Sequence, residues 1–493
     1  MRIVKTLLQN MALSFFAKAV YQLSNALLFL LIARLRGPEE SGIYTLSVKY
    51  SLLFLTLGGW GFDSLIIWQA SAHRSLTSRY FVNYSILRLL LCCAAYIGLA
   101  FVVNCVAAYN VHTTRVVLLV GIGLIPEGIN RLVQAFLMAH GQFVYPTTVS
   151  LVVGLIRCVL GGLAIFIGGG LEVIASVYAA SPLVGLGMYG VFLFQRHSEL
   201  HISGSGKSKI KFDWDFMLRQ VKVATPFALA EIFYAIDGQI DAIILAMYLS
   251  QEHLGFYGAA QNIIMPLNFA FYAYDMALYP WISRLYTSEQ SRLWALYRRL
   301  LFYTALILLP MLVLVSGLAQ PLIGWVYTNR FAFAATVVPW LVLSIVIQIF
   351  NEPNSRLIVV AGYSKVVTAI LWISMVTNVL LNFLLVPRLG ILGSAGARLF
   401  STLMFAGLSG IFVFYRITPI NPLPIISKPI VATIAFGIVF YLLSPFAKGL
   451  GLLIGGICYM CTLILTRVIS IQVFAGLGKW LMYCGKSIIH PKG

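Results

Sequence analysis

Fifteen ionisable side chains lie inside stretches that are otherwise apolar over the length of a membrane-crossing helix. The bases are Lys18, Lys49, Arg88, Arg131, Arg157, Arg356, Arg398 and Arg467. The acids are Asp63, Glu127, Glu231, Asp237, Asp241, Asp275 and Glu352. A charge at mid-bilayer costs at least about 2.5–3.5 kcal/mol on insertion scales. Fifteen such groups cannot all face lipid, so the least costly arrangement turns most of them toward a hydrated interior, paired or awaiting a charged ligand. The chemistry open to them is recognition. A guanidinium grips phosphate oxygens in pairs, and an embedded carboxylate binds a cation or exchanges a proton.

Spacing sorts these groups. Ser14, Lys18, Gln22 and Asn25 follow one another at steps of four, four and three, which puts them on one helical face. Glu231, Tyr234, Gly238 and Asp241 share a face in the same way, with Asp237 beside it. Arg157 and Arg398 have no acid within a helical turn, which leaves them open to an anion. Glu127 with Arg131 and Glu352 with Arg356 are spaced i, i+4 and can close within one helix; Arg131 also remains a candidate for phosphate. Lys18, Gln22, Asn25, Lys49, Arg131, Arg157 and Arg398 are thus the candidates for an anionic substrate. Glu231, Asp237, Asp241 and Asp275 are the candidates for a coupling ion. Plainer readings stand beside these: a structural polar seam between helices, snorkelling of Arg88, Arg356 and Arg467 to the inner interface, and carboxylates bonded to backbone at kinks made by Pro226 and Pro266.

The elements that must position these residues are membrane helices. The 493 residues are 60% hydrophobic and 10% charged, with a mean hydropathy of +0.92. Soluble domains carry roughly 25% charged residues, so an all-α integral membrane protein is expected. Fourteen spans are predicted, at 12–34, 42–69, 81–108, 115–138, 146–168, 173–195, 223–247, 255–282, 300–327, 333–360, 366–386, 391–415, 427–446 and 449–470. With the N-terminus inside, twenty Lys and Arg fall in inside segments and six outside. That asymmetry puts both termini in the cytoplasm. It also accounts for the net charge of +19 without nucleic acid. Arg2 and Lys5 precede a first span longer than a cleavable signal, so none is expected.

The chain echoes itself. LLIARLRGPEESGIYTLS at 30–47 and IILAMYLSQEHLGFYGAA at 243–260 align Ala33 with Ala246, Glu39 with Glu252, Gly42 with Gly255 and Tyr44 with Tyr257, a shift of 213 (255 − 42). GGLEVIASVYAAS from Gly169 pairs with LGILGSAGARLFS from Leu389, a shift of 220 (389 − 169). AHGQFVYPT from Ala139 pairs with AGYSKVVT from Ala361 around Gly141 and Gly362, and Glu127–Leu132 pairs with Glu352–Leu357. Four echoes in one order point to duplication of a six-span unit, with both copies starting on the same side. The expected layout is an N-lobe at 1–195, a basic connector at 196–222, a C-lobe at 223–416, an appended helix pair at 417–471 and an interfacial tail at 472–493. At the shift of 213, Lys18 corresponds to Glu231, so equivalent positions carry opposite charge.

ARLRGPEESGIYTLS after the first span, LSQEHLGFYGAA after the seventh, YPWIS at Tyr279–Ser283 and VPRLGILGSAGARLFST resemble the polysaccharide-transporter branch of the multidrug/oligosaccharidyl-lipid/polysaccharide exporter superfamily, the O-antigen-type flippases. The resemblance covers nearly the whole chain and rests on small residues and hydropathy. It implies movement of an undecaprenyl-diphosphate-linked oligosaccharide from the inner to the outer leaflet of a bacterial inner membrane, by rocking of two lobes about a central cavity. It implies partners in membrane lipid and polysaccharide polymerase machinery, coupling to H+ or Na+, and no covalent catalysis. On that reading spans 1, 2, 7 and 8 line the cavity, the cationic N-lobe holds a diphosphate, and the acidic C-lobe faces sugars or the coupling cation. Trp68 departs from the pattern, since a basic residue is expected near the end of the second span.

Other chemistries fare poorly. Ser203–Ser208 reads SGSGKS, but a phosphate-binding loop needs glycine where His201 stands, and no strand precedes it. Cys458 and Cys461 lack a second pair or a histidine partner, so neither a metal nor a cofactor is expected. Two rivals remain. A drug/cation antiporter of the same superfamily would favour acids and aromatics over eight embedded bases. A membrane glycan polymerase or ligase would need large outer loops, and the longest here are about ten residues.

Overall fold

The computed structural model describes residues 2–72, 77–107, 109–195, 214–444 and 447–466. Among them every regular element is helical: α1 (Arg2–Arg36), α2 (Pro38–Gly59), α3 (Phe62–Ala72), α4 (Thr77–Phe101), α5 (Val111–Ile122), α6 (Leu124–Ala139), α7 (Val144–Phe166), α8 (Leu171–Gln195), α9 (Trp214–Tyr248), α10 (Gln251–Ile263), α11 (Met265–Ser288), α12 (Gln290–Gly317), α13 (Ala319–Tyr327), α14 (Val338–Val360), α15 (Ser364–Leu389), α16 (Ile391–Arg416), α17 (Leu423–Leu443) and α18 (Lys448–Leu465). A π turn at Val102–Val106 extends α4, and a 3-10 helix at Asn329–Thr336 precedes α14. Arg467, the connector residues 196–213, the tail 472–493 and the side chain of Lys18 lie outside the described residues.

The described parts of the fourteen predicted spans lie almost wholly on helix. Ten helical segments are long and apolar enough to cross a membrane, or twelve if each of two bent pairs is one span. The chain is therefore a multi-pass membrane protein. The predicted seventh and eighth spans fall outside that count. α9 carries Glu231, Asp237 and Asp241, and the eighth is divided between α10 and α11 at Ile264.

Local chemistry sets the helix ends. α2 opens with Pro38 in its first turn and Glu39 and Glu40 behind it, where a fixed φ and negative charge both suit a helix start. It stops at Trp60 and Gly61, whose φ values of 45° and 69° turn the chain by 44° into α3. Asn110 caps α5 by accepting from the Thr113 N–H at 2.7 Å. Gly141 and Gly362, paired in the sequence echo, both adopt positive φ (75° and 88°) just beyond helix ends, where a side chain would be strained.

Packing divides the described chain into two compact units. The first comprises the described residues within 2–269, 323–337 and 368–401; the second comprises those within 270–322, 338–367 and 402–466. These units follow packing, whereas the boundaries expected at 195, 222 and 416 rest on the sequence echoes.

In the first unit α1 lies along α7 and α2 lies along α10. Small residues permit both. A Cβ on Gly154 would stand 3.1 Å from the Tyr21 ring, and one on Gly161 would stand 2.7 Å from Leu28. At the α2/α10 crossing a Cβ on Gly42 would fall 1.7 Å from the Gln251 carbonyl oxygen, and one on Gly255 would fall 2.0 Å from that of Pro38. Gln251 and Pro38 are themselves separated by 213 (251 − 38). Exchanging the two helices reproduces the contact, so residues paired by the sequence echo meet about a local two-fold relation.

In the second unit α12 packs on α14 and α17, and α17 packs on α18. Gly317 makes room for the Phe440 ring. Leu278, Ile282, Leu293, Leu301 and Leu357 form one apolar cluster. Phe436, Phe440 and Tyr459 anchor another.

Candidate functional site

The first unit holds two guanidinium groups at corresponding helix junctions, Arg157 buried and Arg398 partly buried. Arg157 projects from α7 toward α1 and α8. Its Nε donates to Ser181 Oγ at 3.0 Å, and its Nη1 donates to Tyr21 OH at 2.9 Å and Asn25 Oδ1 at 3.2 Å. The guanidinium carbon lies 3.9 Å from the Tyr178 ring centre and 5.5 Å from that of Tyr21. Tyr44 stands edge-on to Tyr178. Arg157 is only 2% exposed, and among the described residues its partners are all neutral.

Arg398 projects from α16 toward α9. Its Nε donates to Asp241 Oδ2 at 2.9 Å, its Nη1 to Asp237 Oδ2 at 2.7 Å, and its Nη2 to the Asp237 backbone oxygen. Asp237 and Asp241 are one turn apart on α9, so one fork spans both carboxylates. α15 completes the cradle. Asn378 and Asn382, also one turn apart, donate to Asp241 Oδ1 at 3.0 and 3.2 Å. The Tyr257 hydroxyl of α10 donates to Asp241 Oδ2 at 3.0 Å. The Asp241 side chain is 2% exposed. Lys49 on α2 is partly buried and within electrostatic reach of Asp241 and Arg398.

A third basic group is structural. Arg88 is wholly buried, which overturns the expectation that it snorkels to the interface. It bonds the Gly59 carbonyl oxygen at 2.8 Å, the Gly128 carbonyl oxygen at 3.2 Å, and Asp63. One guanidinium thus satisfies a carbonyl freed at the α2–α3 break and ties α4 to α6. Glu231 accepts from Ser64 Oγ at 2.7 Å.

In the second unit Arg356 holds two acids. Its Nε lies 2.7 Å from Glu352 Oε1 and 2.6 Å from Asp275 Oδ1. The guanidinium also lies 5.9 Å from the Tyr279 ring centre. The expected i, i+4 closure is therefore realised for Glu352 and Arg356. Glu127 and Arg131, with the same spacing on α6, form no ion pair with each other or with any other described residue. Both stay partly buried.

A family model for polysaccharide biosynthesis protein matches residues 7–286. The chain belongs to the polysaccharide biosynthesis protein family. That family lies within the exporter superfamily suggested by the small-residue motifs. A second model, for the MatE family, matches residues 226–384. The chain is 23% identical over 168 residues to an uncharacterized membrane protein, MJ1068, of Methanocaldococcus jannaschii; the match spans 33% of this chain and 32% of that protein. Among solved structures, lipid II flippase MurJ in an inward closed conformation superposes with a TM-score of 0.72 at 13% identity, covering 93% of this chain and 98% of that one. An inward-facing multidrug resistance MATE family transporter gives 0.61 at 14% identity, over 80% and 94%. A transporter of the same superfamily from Pyrococcus furiosus, described as having a binding pocket of reversed polarity, gives 0.58 at 14% identity, over 83% and 95%. At these identities the likenesses establish the fold.

Within this family fold, the residues chosen from sequence are distributed as follows. Asp237, Asp241 and Arg398, divided by sequence into ion and substrate groups, form one assembly, and Lys49 lies within electrostatic reach of it without a hydrogen bond or ion pair to it. Asn25 meets Arg157. Gln22 is partly buried on α1, and Asp275 belongs to the second unit with Arg356. Sequence reasoning missed Tyr21, Tyr178 and Ser181 around Arg157, and Asn378, Asn382 and Tyr257 around Asp241. Two signals for them were present. Asn378 and Asn382 repeat at i, i+4 in an apolar helix, and Tyr257 is the echo of Tyr44.

Proposed function

We propose that this chain is a flippase that moves an undecaprenyl-diphosphate-linked oligosaccharide, a surface-polysaccharide repeat unit, from the cytoplasmic to the outer leaflet. It crosses a bacterial inner membrane fourteen times with both termini in the cytoplasm. Residues 1–195 and 223–416 act as two lobes joined by the basic connector 196–222, with 417–471 as an added helix pair and 472–493 as an interfacial tail. The observation that carries the reading is the set of embedded cations lacking a carboxylate partner among the described residues: Lys49, Arg131 and Arg157. A buried cation without a counter-charge is expensive, and an anionic headgroup passing between the lobes supplies one transiently. Lys18, Gln22, Asn25 and Arg398 complete the substrate set, and the polyprenyl tail stays in lipid. The family match and the fold shared with MurJ support this reading. No bond is made or broken in such a step, so the protein works as a transporter and not as an enzyme.

Glu231, Asp237, Asp241 and Asp275 are the acids available for coupling to H+ or Na+. A drug/cation antiporter is the second reading, favoured by the MatE match over 226–384. Against it, the two α9 acids already hold Arg398. Deleting the gene and identifying the lipid-linked intermediate that accumulates on the inner leaflet decides between them. Accumulation of a polyprenyl-diphosphate glycan with unchanged drug susceptibility supports the flippase. Increased drug susceptibility with intact surface glycan overturns it.

A further inference from the structure

Both ends of α2 are bordered by helices that follow residue 213. At its start, the Gly42/Gly255 crossing with α10 is backbone on backbone. Beyond its other end the chain turns at Trp60 and Gly61 into α3. There α9 approaches so closely that a Cβ on Gly61 would stand 2.4 Å from the Ala228 nitrogen. At this end side chains also cross. Gln69 of α3, Tyr84 of α4 and Gln220 of α9 form a triangle. Gln69 Nε2 donates to Gln220 Oε1 at 3.0 Å. The Tyr84 hydroxyl lies 2.9 Å from that same oxygen and 2.7 Å from Gln69 Oε1, and donates to both. Nearer Gly61 in the chain, Ser64 Oγ donates to Glu231 Oε1 at 2.7 Å. The triangle is set against an apolar cluster. The Tyr84 ring is 2% exposed and packs on Phe62 and Phe216, with centroids 5.3 and 6.1 Å away. Leu65 and Met217 belong to the same cluster.

Three neutral polar groups in such a place are informative. Apolar packing alone would shut this joint, and a lasting tie is made close by with charge, where Arg88 bonds Asp63. Amides and a phenol do something else. Satisfied by one another, they fix the register of the helices they join. Once parted, each takes water in exchange at little net cost. They suit a joint that opens and re-forms.

We propose that Gln69, Tyr84 and Gln220 are a releasable latch that holds α9 against α3 and α4 and opens in each transport cycle. The proposal rests on the flippase reading, under which this end of the seam faces the cytoplasm and admits the lipid-linked headgroup. The backbone joint at Gly42 and Gly255 stays shut while the latch is open, which keeps the path closed on the other side.

The test measures the α3–α9 distance by pulsed electron paramagnetic resonance. Spin labels are placed by Trp68→Cys and Leu218→Cys, both at exposed positions. The full-length protein is freed of its seven native cysteines and held in lipid nanodiscs. The parent should give mainly one short distance. Adding Tyr84→Phe or Gln220→Leu should raise the ratio of long to short distances by roughly fivefold, the factor that one lost neutral hydrogen bond gives. Ser176→Ala, whose hydroxyl bonds within α8, should leave the ratio unchanged. A second arm keeps the native cysteines, so it does not depend on their replacement being tolerated. Gln69→Cys and Gln220→Cys are bridged in cells by a short bis-methanethiosulfonate, and the linked peptides are identified by mass spectrometry. Glycan export should fall by roughly tenfold or more on bridging and recover on reduction. Distances unchanged by either latch substitution, or changed equally by Ser176→Ala, overturn the proposal. So does undiminished export with the bridge in place. If deleting the gene leaves surface glycan and its lipid-linked precursor unchanged, the flippase reading fails, and the distances alone still decide the latch.

Discussion

Replacing Arg398 by glutamine tests whether the α9 acids and the α16 guanidinium are one structural unit. The change leaves Asp241, with its side chain 2% exposed, and Asp237 one turn away, both ionised and without their cation. Two carboxylates about 6 Å apart repel by about 3 kcal/mol at an effective dielectric of 20. Removing one partner from a buried ion pair costs about 3–5 kcal/mol by direct measurement elsewhere. The expected loss for Arg398→Gln is therefore about 3–5 kcal/mol, seen as a fall of roughly 5 °C or more in the unfolding midpoint of the detergent-solubilised protein. Part of the loss should return in sodium, which can replace the missing cation beside the two carboxylates. The decisive comparison is the triple variant Asp237→Asn, Asp241→Asn, Arg398→Gln. It removes all three charges and keeps the hydrogen-bonding shapes, so its stability should lie within about 2 kcal/mol of the wild type. A single variant as stable as the wild type, or a triple variant no better than the single one, would refute the reasoning.

Four further outcomes follow from the same geometry. Gly42→Leu places carbon where the Gln251 carbonyl oxygen stands, so folded protein should be lost, with a cost above about 3 kcal/mol; Gly407→Ala, which meets nothing within 4 Å, should leave the yield unchanged. Arg88→Met should destabilise by about 3 kcal/mol or more, because the Gly59 and Gly128 carbonyl oxygens and Asp63 all lose a donor. Asp275→Asn and Glu352→Gln should each be mild, since Arg356 keeps one carboxylate, and the double variant should exceed their sum by about 1–3 kcal/mol. Arg131→Gln should shift the midpoint by less than about 1 kcal/mol, because no described ion pair is broken, while glycan export in cells falls at least tenfold.

Hydropathy and small-residue motifs made the helices and the turns legible, because a lipid environment admits few alternatives to helix and because turn glycines such as Gly141 and Gly362 show in composition. The site was legible only in part. Sequence spacing shows which charges share a helix but not which face one another across helices. Arg398 seemed open to an anion because no acid lies within its own turn, whereas its acids lie on α9, 157 and 161 positions away. Glu127 and Arg131 have the spacing of a pair and form none. Arg88 looked like an interfacial residue by depth, and the carbonyl oxygen freed at the Gly59 break, which no residue pattern announces, explains why it is buried.

The two guanidinium groups show two electrostatic characters at positions that the sequence echo makes equivalent. At the shift of 220, Arg398 occupies the position of Tyr178 (398 − 178). In the first repeat that position supplies an aromatic face to a guanidinium arriving from α7; in the second it supplies the guanidinium itself. The cation is thus kept at the junction while its donor helix changes from α7 to α16. The facing helix differs too. α1 offers Tyr21 and Asn25, which are neutral, and α9 offers Asp237 and Asp241, which are charged. A mobile cation can reach the α9 acids only by displacing a guanidinium bonded through three nitrogens, in competition with a tethered group at high effective concentration. Freed of that competitor, the α9 acids of Arg398→Gln should respond to sodium where those of the wild type do not, and sodium titration of the unfolding midpoint of the two proteins measures that difference directly.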